Sequence, residues 1–330
     1  MDTAKTIPIA DNDGGTPATD RTAQSSGTCR IWVENESEFS ADNISLISHN
    51  FQHHPLLQLD QLEALAHRLL PQKQCRFINP GAKQNSDFIH HAESPDGRDL
   101  SDVFRNISQP GSWVALYNAE ADPKYAGLVR EALSSVEHLV DRTQPGIFSP
   151  QAFIFISAPP SVTPFHIDRE NNFWLQIHGR KIMNVWDSHD RNIIPASTVE
   201  NFIVDKSLHD VNLRDEFMEA RHEWDLGPGE GVYFPSTSPH STRTETSWVT
   251  DQDAVSVSIG IVFYTEKTRK DAYVHSANRL LRKLALTPKS PGDSRFEYAK
   301  FLLGRVLVAV KKRLRNYSPP TGFEKLPESY

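Results

Sequence analysis

The sequence predicts a mainly β protein, a barrel or sandwich of short strands with helices at both ends. Short apolar and alternating segments are concentrated between residues 150 and 264, where prolines and glycines separate them. The segments on either side instead repeat their apolar residues at helical spacing. Strands in the middle and helices at the ends are typical of a β core covered by helices.

Length and composition narrow the class of protein. At 330 residues the chain is long enough for one large domain or for two smaller ones. Its net charge of −7 does not favour a nucleic-acid partner. The two cysteines, Cys29 and Cys75, are too few for a disulfide framework, which favours the reducing environment of the cytoplasm.

The N-terminal segment is rich in Asp, Thr, Gly and Ser and poor in large apolar groups, so we expect residues 1–28 to form a disordered tail. It lacks the apolar stretch of a signal peptide. No apolar run in the chain reaches the roughly 18 residues that cross a bilayer. These features predict a soluble, cytoplasmic protein.

Before the β core, the pattern predicts two helices, a long loop and a strand. The helices are expected at 58–70 and 122–140, the loop at 80–100 and the strand at 111–118. Asp122 followed by Pro123 is typical of a helix start, because aspartate caps the first amides and proline is tolerated at the first helical position.

The β core contains six predicted strands, at 152–157, 165–168, 172–177, 181–186, 231–235 and 254–264. An insert at 196–222 ends in a predicted helix that begins near residue 207. After the last strand the pattern predicts two further helices, at 269–286 and 293–317.

Three residues of the β core have the chemistry of a metal site. His166 and Asp168 are two residues apart in a predicted strand, so their side chains should share one face. His240 lies 72 residues beyond Asp168, after a glycine-rich turn, an apolar strand and a proline. Two imidazoles and one carboxylate are the ligand set of non-haem Fe(II) oxygenases. The alternative is a surface pair, because His-x-Asp occurs in many strands by chance.

A second group of residues suits an organic acid bound beside such a metal. 2-Oxoglutarate chelates iron through one end and leaves a distal carboxylate, which needs a buried cation and a hydroxyl donor; Lys181 and Thr163 have those chemistries. We expect Gly179 to form a hairpin turn that brings the strand of Asn172 and Trp174 beside the strand of Lys181. The alternative for Lys181 is a solvated charge at a sheet edge.

The segments "TPFHID", "NFWLQIHGRK" and "GPGEGVYFPSTSPH" resemble the JmjC or cupin-like 2-oxoglutarate oxygenases. They look most like the branch of the factor-inhibiting-HIF asparaginyl hydroxylase, whose pattern is Thr-Pro-x-His-x-Asp, Asn-aromatic, Gln-Ile-x-Gly-x-Lys and Pro-x-x-x-x-His. The match is specific over residues 161–187 and 227–241 and weaker across 111–264. Its first histidine and its lysine are fifteen residues apart, as the pattern requires.

This resemblance implies a double-stranded β-helix, the jelly-roll of cupin and JmjC proteins. An oxygenase domain would cover residues 29–264, with its core at 111–264, and residues 265–330 would form a C-terminal helical region.

Fe(II) would be bound by His166, Asp168 and His240. The distal carboxylate of 2-oxoglutarate would be bound by Thr163 and Lys181. The surrounding pocket would be lined by Asn172 near the chelating end, by Trp174 as a wall, and by Tyr117 from an earlier strand. The chain departs from the branch at Ile261, where the aligned position should carry an asparagine near the metal.

The resemblance implies hydroxylation of a C–H bond with Fe(II), 2-oxoglutarate and O₂, releasing succinate and CO₂. The expected substrate is an amino-acid side chain, free or in a peptide or protein; demethylation of an N-methyl group is a less favoured alternative. Another alternative is a cupin-like metal-binding protein that is non-catalytic or independent of 2-oxoglutarate. The presence of both Thr163 and Lys181 argues against it.

The last predicted helix combines an apolar face with the basic residues Lys311, Lys312, Arg313 and Arg315. Such a helix can lie on an acidic membrane surface. It can also pack on the barrel or against a second subunit, with its basic end complementing the helix dipole. Related enzymes often dimerise through C-terminal helices, so packing on the barrel or against a second subunit, in a possible homodimer, is favoured over the membrane surface.

Overall fold

The computed structural model describes residues 28–79, 81–250, 254–315 and 317–324. The predicted disordered tail therefore lies outside the described residues, apart from residue 28. The strands of the described ranges are β1 (Ile31–Val33), β2 (Ser45–His49), β3 (Cys75–Ile78), β4 (His90–His91), β5 (Trp113–Leu116), β6 (Phe148–Ser157), β7 (Val162–His166), β8 (Asn171–His178), β9 (Lys181–Val185), β10 (His222–Leu226), β11 (Glu230–Phe234), β12 (His240–Arg243) and β13 (Ser256–Tyr264).

The α-helices are α1 (Leu59–Leu69), α2 (Leu100–Arg105), α3 (Pro123–Ser134), α4 (Glu137–Val140), α5 (Ala196–Asp205), α6 (Glu266–Lys283) and α7 (Glu297–Arg315). As predicted, Asp122 caps α3, where its side chain accepts a hydrogen bond from the amide of Lys124, and Pro123 occupies the first helical position. The helix predicted over 122–140 is interrupted, however, and becomes α3 and α4. None of the helices in the described ranges is long and apolar enough to cross a lipid bilayer.

The strands form two antiparallel sheets. The larger has nine strands in the order β1-β2-β11-β8-β13-β6-β5-β3-β4, and the smaller has four in the order β10-β9-β12-β7. From β6 onward the chain alternates between the sheets, except that β9 and β10 pair with each other. Each sheet thus receives four of these eight strands, and this alternation is the double-stranded β-helix that the resemblance implies. The first five strands extend the larger sheet at both edges.

Alternate residues of each strand face different layers, because the side-chain period of a strand is two. Trp174 of β8 and Phe234 of β11 pack against Met183 and Val185 of β9, so these side chains fill the space between the two sheets. Phe173 of β8 lies on the opposite face of the larger sheet, in the cluster that includes the buried leucines of α1. The outer face of the smaller sheet is covered by residues of α5, α6 and α7.

Three local predictions are wrong. The helix expected from residue 207 is replaced by a short 3₁₀ turn at Asp215–Ala220 and by β10. Gly179 does turn, with φ of 60°, but β8 and β9 belong to different sheets and so form no hairpin. An added Cβ at Gly179 would come within 2.6 Å of the carbonyl oxygen of Val255, so this close crossing requires glycine. The strand predicted at 165–168 ends at His166.

Candidate active site

The antiparallel ladder between β7 and β12 brings the two predicted histidine ligands together. His166 is the last residue of β7 and His240 the first of β12, and they are direct partners in the ladder. Their ring centroids are 4.1 Å apart. Asp168 joins them, and one ligand atom from each of the three residues lies within 4.8 Å of the others. We call His166, Asp168 and His240 the triad.

Asp168 lies in the loop after β7 and not in the strand. Strand alternation is therefore not what places its carboxylate beside His166, although the two side chains do lie together. Asp168 is two residues past the end of β7. Its carbonyl oxygen accepts a hydrogen bond of 2.8 Å from the amide of Thr237, in the loop between β11 and β12. Thr237 has φ of 65°, a left-handed conformation that is uncommon for threonine. This contact ties the carboxylate ligand to the loop that leads into His240.

Both histidines are oriented by backbone carbonyls. The Nδ1 atom of His166 lies 2.7 Å from the carbonyl oxygen of Pro164, and that of His240 lies 3.0 Å from the carbonyl oxygen of Ser238. A carbonyl can only accept, so Nδ1 carries the proton in both rings and the Nε2 lone pair is left free. The Nε2 atom of His240 is 3.5 Å from Asp168 Oδ2. The free lone pairs and the carboxylate therefore converge, which is the donor set that Fe(II) requires.

The protonation states also suit a metal. Burial, with the neighbouring His240 ring, lowers the pKa of His166 to about 4, so the imidazole is neutral at physiological pH. Burial raises the pKa of the Asp168 carboxyl, but its neighbours His240, His166 and Arg169 outweigh that effect and bring the pKa to about 2. Neutral imidazoles and an ionised carboxylate are the forms that ligate divalent iron. The residues present therefore fit the group that the sequence implies.

Lys181 is a buried cation without a carboxylate partner among the described residues. It is the first residue of β9 and only 2% exposed. Its Nζ donates to the hydroxyls of Ser157, at 3.3 Å, and Ser258, at 3.4 Å. Burial lowers its pKa to about 7, because two hydroxyls do not replace the solvation of an ammonium group. An anion placed beside Lys181 would supply the missing charge.

Thr163 lies near the same end of the interior. It is buried, and its hydroxyl oxygen accepts a hydrogen bond of 3.3 Å from the indole N–H of Trp113 on β5. Its own O–H remains able to donate to a ligand. Sequence reasoning did not identify Trp113 or Ser157, because these residues belong to strands that are far from Lys181 in sequence.

Asn172 and Trp174 face the interior from β8, as predicted. Trp174 packs against Met183 and Val232. The Oδ1 atom of Asn172 is buried and has no hydrogen-bond partner among the described residues. An added Cβ on Gly260 of β13 would lie 3.0 Å from that Oδ1 atom. A polar ligand group in the interior would satisfy this amide.

The alignment that placed Ile261 near the metal was off by one residue. Ile261 belongs to the cluster on the outer face of the larger sheet, with Phe173 and Phe263. The residues on either side of it lie on the interior face: Gly260 faces the Asn172 amide, and Val262 is the ladder partner of Asn172. A shift of one residue in a strand exchanges the two faces, which explains the error. Glycine adds no side chain here, which leaves room for the Asn172 amide that packs against this position.

Tyr117 directly follows the last residue of β5. Its ring makes edge contacts with Phe153, at 4.9 Å between centroids, and with Phe155, at 6.2 Å. Burial and the charge of Asp168 raise the pKa of its hydroxyl, so the group stays protonated and can donate. Tyr117 is therefore on the interior side of the larger sheet and within electrostatic reach of the triad.

The segment from residue 81 to 91, predicted as a loop, covers the triad. Phe88 stacks on the ring of His166 with centroids 4.4 Å apart and an interplanar angle of 23°. The carbonyl of Gln84 accepts a hydrogen bond from the amide of Phe165, and its side chain donates to Ser241. His90 packs between Phe88 and Tyr117. No periodic pattern in this segment signals these contacts, so the sequence did not identify them.

We expect Phe88→Ala to weaken Fe(II) binding by up to about tenfold while activity at saturating iron is kept. The reason is that the stacked ring fixes the orientation of His166 without touching the metal position. Anaerobic titration with Fe(II) measures the effect. Ile89→Ala, at an exposed neighbouring position, is the control and should bind like the wild type. Equal weakening in both variants would contradict this role for Phe88.

Residues 136–268 match the family model of the JmjC domain. This part of the chain is similar to JmjC domains. It contains all eight strands of the β-helix, from β6 to β13, and all three residues of the triad. A comparison with curated protein sequences finds no match.

Among solved structures, the chain is similar to the Escherichia coli ribosomal oxygenase YcfD. A crystal structure of that protein aligns with a TM-score of 0.47 and 13% identity, over 87% of this chain and 69% of the other. A structure of YcfD in complex with cobalt and 2-oxoglutarate aligns with a TM-score of 0.43 and 15% identity, over 84% and 66%. The DMSP lyase DddQ from Ruegeria pomeroyi aligns with a TM-score of 0.22 and 17% identity, over 35% and 38%.

These likenesses are distant, so the functional argument rests on the site and on the JmjC domain. The match to the JmjC domain, the triad and the buried lysine are together the features of a 2-oxoglutarate-dependent oxygenase.

Proposed function

We propose that the protein is an Fe(II)- and 2-oxoglutarate-dependent oxygenase that hydroxylates a C–H bond of an amino-acid side chain, free or within a peptide or protein. The observation that carries the proposal is the combination of the triad with a buried, unpaired lysine in one JmjC domain. When bound, Fe(II) and 2-oxoglutarate reduce O₂, so that one oxygen atom enters the substrate C–H bond and the other enters succinate as CO₂ is released.

The triad would hold the iron through His166 Nε2, His240 Nε2 and a carboxylate oxygen of Asp168. The backbone carbonyls of Pro164 and Ser238 keep the two rings in the tautomer that leaves Nε2 unprotonated. Three protein ligands on one face leave the opposite positions open for a chelating acid and for O₂. The role of the protein would then be to keep those open positions accessible and free of competing water.

Lys181 and Thr163 would bind the distal carboxylate of 2-oxoglutarate. The carboxylate would complete the hydrogen bonds of the ammonium group, which already donates to Ser157 and Ser258. The ion pair would also raise the pKa of Lys181, since an adjacent negative charge favours the ammonium form. A binding-only cupin has no use for a buried cation at this position, because an unpaired ammonium lowers stability.

The remaining interior residues would shape the pocket. Asn172 would donate from its amide nitrogen to the chelating end, Trp174 would form the wall, and Tyr117 would donate its hydroxyl. None of these groups needs to act as an acid or a base in the reaction.

The resemblance to the asparaginyl hydroxylase branch supports an amino-acid side chain as the substrate. It rests on residues 161–187 and 227–241. The net charge of −7 makes a nucleic-acid substrate unfavourable, because binding along a phosphate backbone depends on basic surfaces. We place the reaction in the cytoplasm, in agreement with two cysteines that form no disulfide. We keep the division into an oxygenase domain at 29–264 and a helical region at 265–330.

Succinate production tests the proposed activity. Protein with Fe(II), 2-oxoglutarate and air should form succinate even without its substrate, at a rate that rises when the right peptide or amino acid is added. Mass spectrometry of candidate substrates should then show a gain of one oxygen atom. Succinate formation that does not depend on iron would contradict the proposal.

A homodimer through α7 is part of this proposal. Five apolar side chains follow each other at intervals of four residues along α7 and are all exposed: Tyr298 (69%), Leu302 (42%), Val306 (58%), Val310 (47%) and Leu314 (75%). We call them the α7 stripe. The other side of α7 packs on α6, where Gly304 lies directly against Tyr273. An exposed apolar stripe of this length marks an interaction surface.

We expect Val306→Glu to convert the dimer into monomers, because it places a charge in the middle of the α7 stripe. Light scattering after size exclusion measures the change in mass. Val306→Leu keeps the apolar character and should remain dimeric. A wild-type protein that is monomeric at micromolar concentration would contradict the dimer, and its binding to acidic vesicles would then favour a membrane surface.

A further inference from the structure

A polar cavity lies beside the segment that carries Asp168 and contains none of the triad residues. It is lined by the loop after β7, the loop after β9, the turn before β12 and the first half of α6. The cavity has a volume of about 70 Å³. That volume holds several waters or one small ligand, since a single water needs roughly 10–15 Å³.

Three nitrogen atoms of the cavity lining lack a hydrogen-bond partner among the described residues. They are Nη1 of Arg169, Nη1 of Arg191 and Nδ1 of His275, and all three are shielded from solvent. His275 as a whole is only 8% exposed. Buried polar groups are nearly always satisfied, so three such atoms around one cavity indicate that something polar occupies it.

The charges around the cavity favour an anion. Its lysine, Lys267, pairs with Asp42 at 3.5 Å and with Asp271 at 3.0 Å, so both carboxylates of the lining already have a cationic partner. No ion pair of Arg169 or Arg191 is found within the described part of the chain. Burial lowers the pKa of His275 to about 3, together with the positive charges of Arg191 and Lys267 nearby. Carboxylates outside the lining lie near both guanidinium groups, Glu170 near Arg169 and Asp187 near Arg191, but none of them forms a direct ion pair among the described residues, so both groups remain able to bind an anion.

We propose that this cavity binds a small oxyanion, a carboxylate or a phosphate group, between Arg169, Arg191 and His275. Guanidinium groups present planar pairs of N–H donors that match the oxygens of both anions. The neutral ring of His275 can add one N–H donor. A free ion and the acidic group of a larger molecule present the same oxygens to this site, and the site needs neither iron nor 2-oxoglutarate.

The bound anion would lie against residues that hold the carboxylate ligand of the triad. Arg169 follows Asp168 directly, and Thr237, which also lines the cavity, donates its amide to the carbonyl of Asp168. Occupancy of the cavity would therefore stiffen the loop that presents Asp168.

Calorimetric titration of the metal-free protein with inorganic phosphate, and in parallel with acetate, tests the site. We expect one-to-one binding of at least one of the two ions, and roughly tenfold or greater weakening in Arg191→Gln. Arg98→Gln is the matched control, because Nη1 of Arg98 is also buried without a partner but lines other pockets. The Lys181→Met background excludes binding in the 2-oxoglutarate pocket, and the affinity should be unchanged there.

Two further measurements keep the test decisive if Arg191→Gln does not fold. Arg191→Lys keeps the charge and loses the planar fork, so it should weaken the ion without abolishing binding. The ring nitrogens of His275, followed by NMR and assigned with His275→Asn, should shift during the titration. The absence of saturable binding of either ion, or equal affinity in the wild type and Arg191→Gln, would overturn the site and leave water as its occupant. Neither result bears on the oxygenase activity, because no iron is present.

Discussion

Lys181→Met is expected to give a protein that resists heat better than the wild type and binds 2-oxoglutarate far more weakly. The ammonium group is buried with only two serine hydroxyls as partners, so an apolar side chain of similar length removes a charge that burial disfavours. The same change removes the cation that would pair with the distal carboxylate. Losing one partner of a buried ion pair costs about 3–5 kcal/mol, which corresponds to roughly 100-fold or weaker binding.

The gain in stability should depend on pH. The pKa of Lys181 is about 7 in the folded protein against 10.5 for an ordinary lysine. The unfolded chain therefore binds more protons between these values, and the stability of the wild type rises with pH across this window. Lys181→Met lacks this dependence, so its advantage should be largest at pH 7 and below, on the order of a few kcal/mol, and should fade toward pH 10.

Thermal unfolding from pH 6 to 10, with and without 2-oxoglutarate and a redox-inert divalent metal, measures both effects. Lys124→Met, at an exposed position, is the control and should behave like the wild type. A Lys181→Met protein that is less stable at pH 7, or that still gains stability from 2-oxoglutarate, would contradict the assignment of this lysine.

Removal of a triad ligand should abolish turnover. We expect Asp168→Asn, which keeps the size of the side chain and removes its charge, to weaken Fe(II) binding by at least about 100-fold. Succinate formation should fall at least 1000-fold, because a site with two neutral imidazoles alone does not hold iron against water. His166→Ala and His240→Ala should have the same consequence. Each removes one of the Nε2 donors that face the carboxylate.

Metal titration and succinate measurement on the same samples distinguish loss of iron from misfolding. Asp225→Asn is a matched control, since it removes a carboxylate from an exposed ion pair with Arg180 on the smaller sheet. Its iron affinity and activity should equal those of the wild type. An Asp168→Asn protein that retains stoichiometric iron and substantial activity would remove the triad from the mechanism.

The residues that the sequence could identify share a short-range pattern. His166, Asp168 and Lys181 lie within one segment, and the alternation of strand residues correctly placed Asn172 and Trp174 on the interior face. The β-rich core was predicted because its strands are short, apolar and separated by turn residues. Jelly-roll topology followed only from the resemblance, since pairing between distant strands has no local signal.

The errors arise where register or loop structure decides. Ile261 was placed on the wrong face, because a one-residue shift in alignment exchanges the faces of a strand. Gly179 was correctly identified as a turn but connects two sheets, and nothing in a short turn sequence tells a crossing from a hairpin. Phe88 lies in an aperiodic polar segment, so its stacking on His166 could only be seen in three dimensions.

The most direct test of the central claim is an anaerobic titration of the Fe(II)-loaded protein with 2-oxoglutarate, followed by admission of air. The wild type should develop the weak visible absorption of Fe(II) chelated by a 2-oxo acid and then form succinate. Lys181→Met should need far more 2-oxoglutarate for the same absorption, and Asp168→Asn should give neither signal. Wild-type protein that holds iron but gives no absorption and no succinate, or an absorption that Lys181→Met leaves unchanged, would contradict the account.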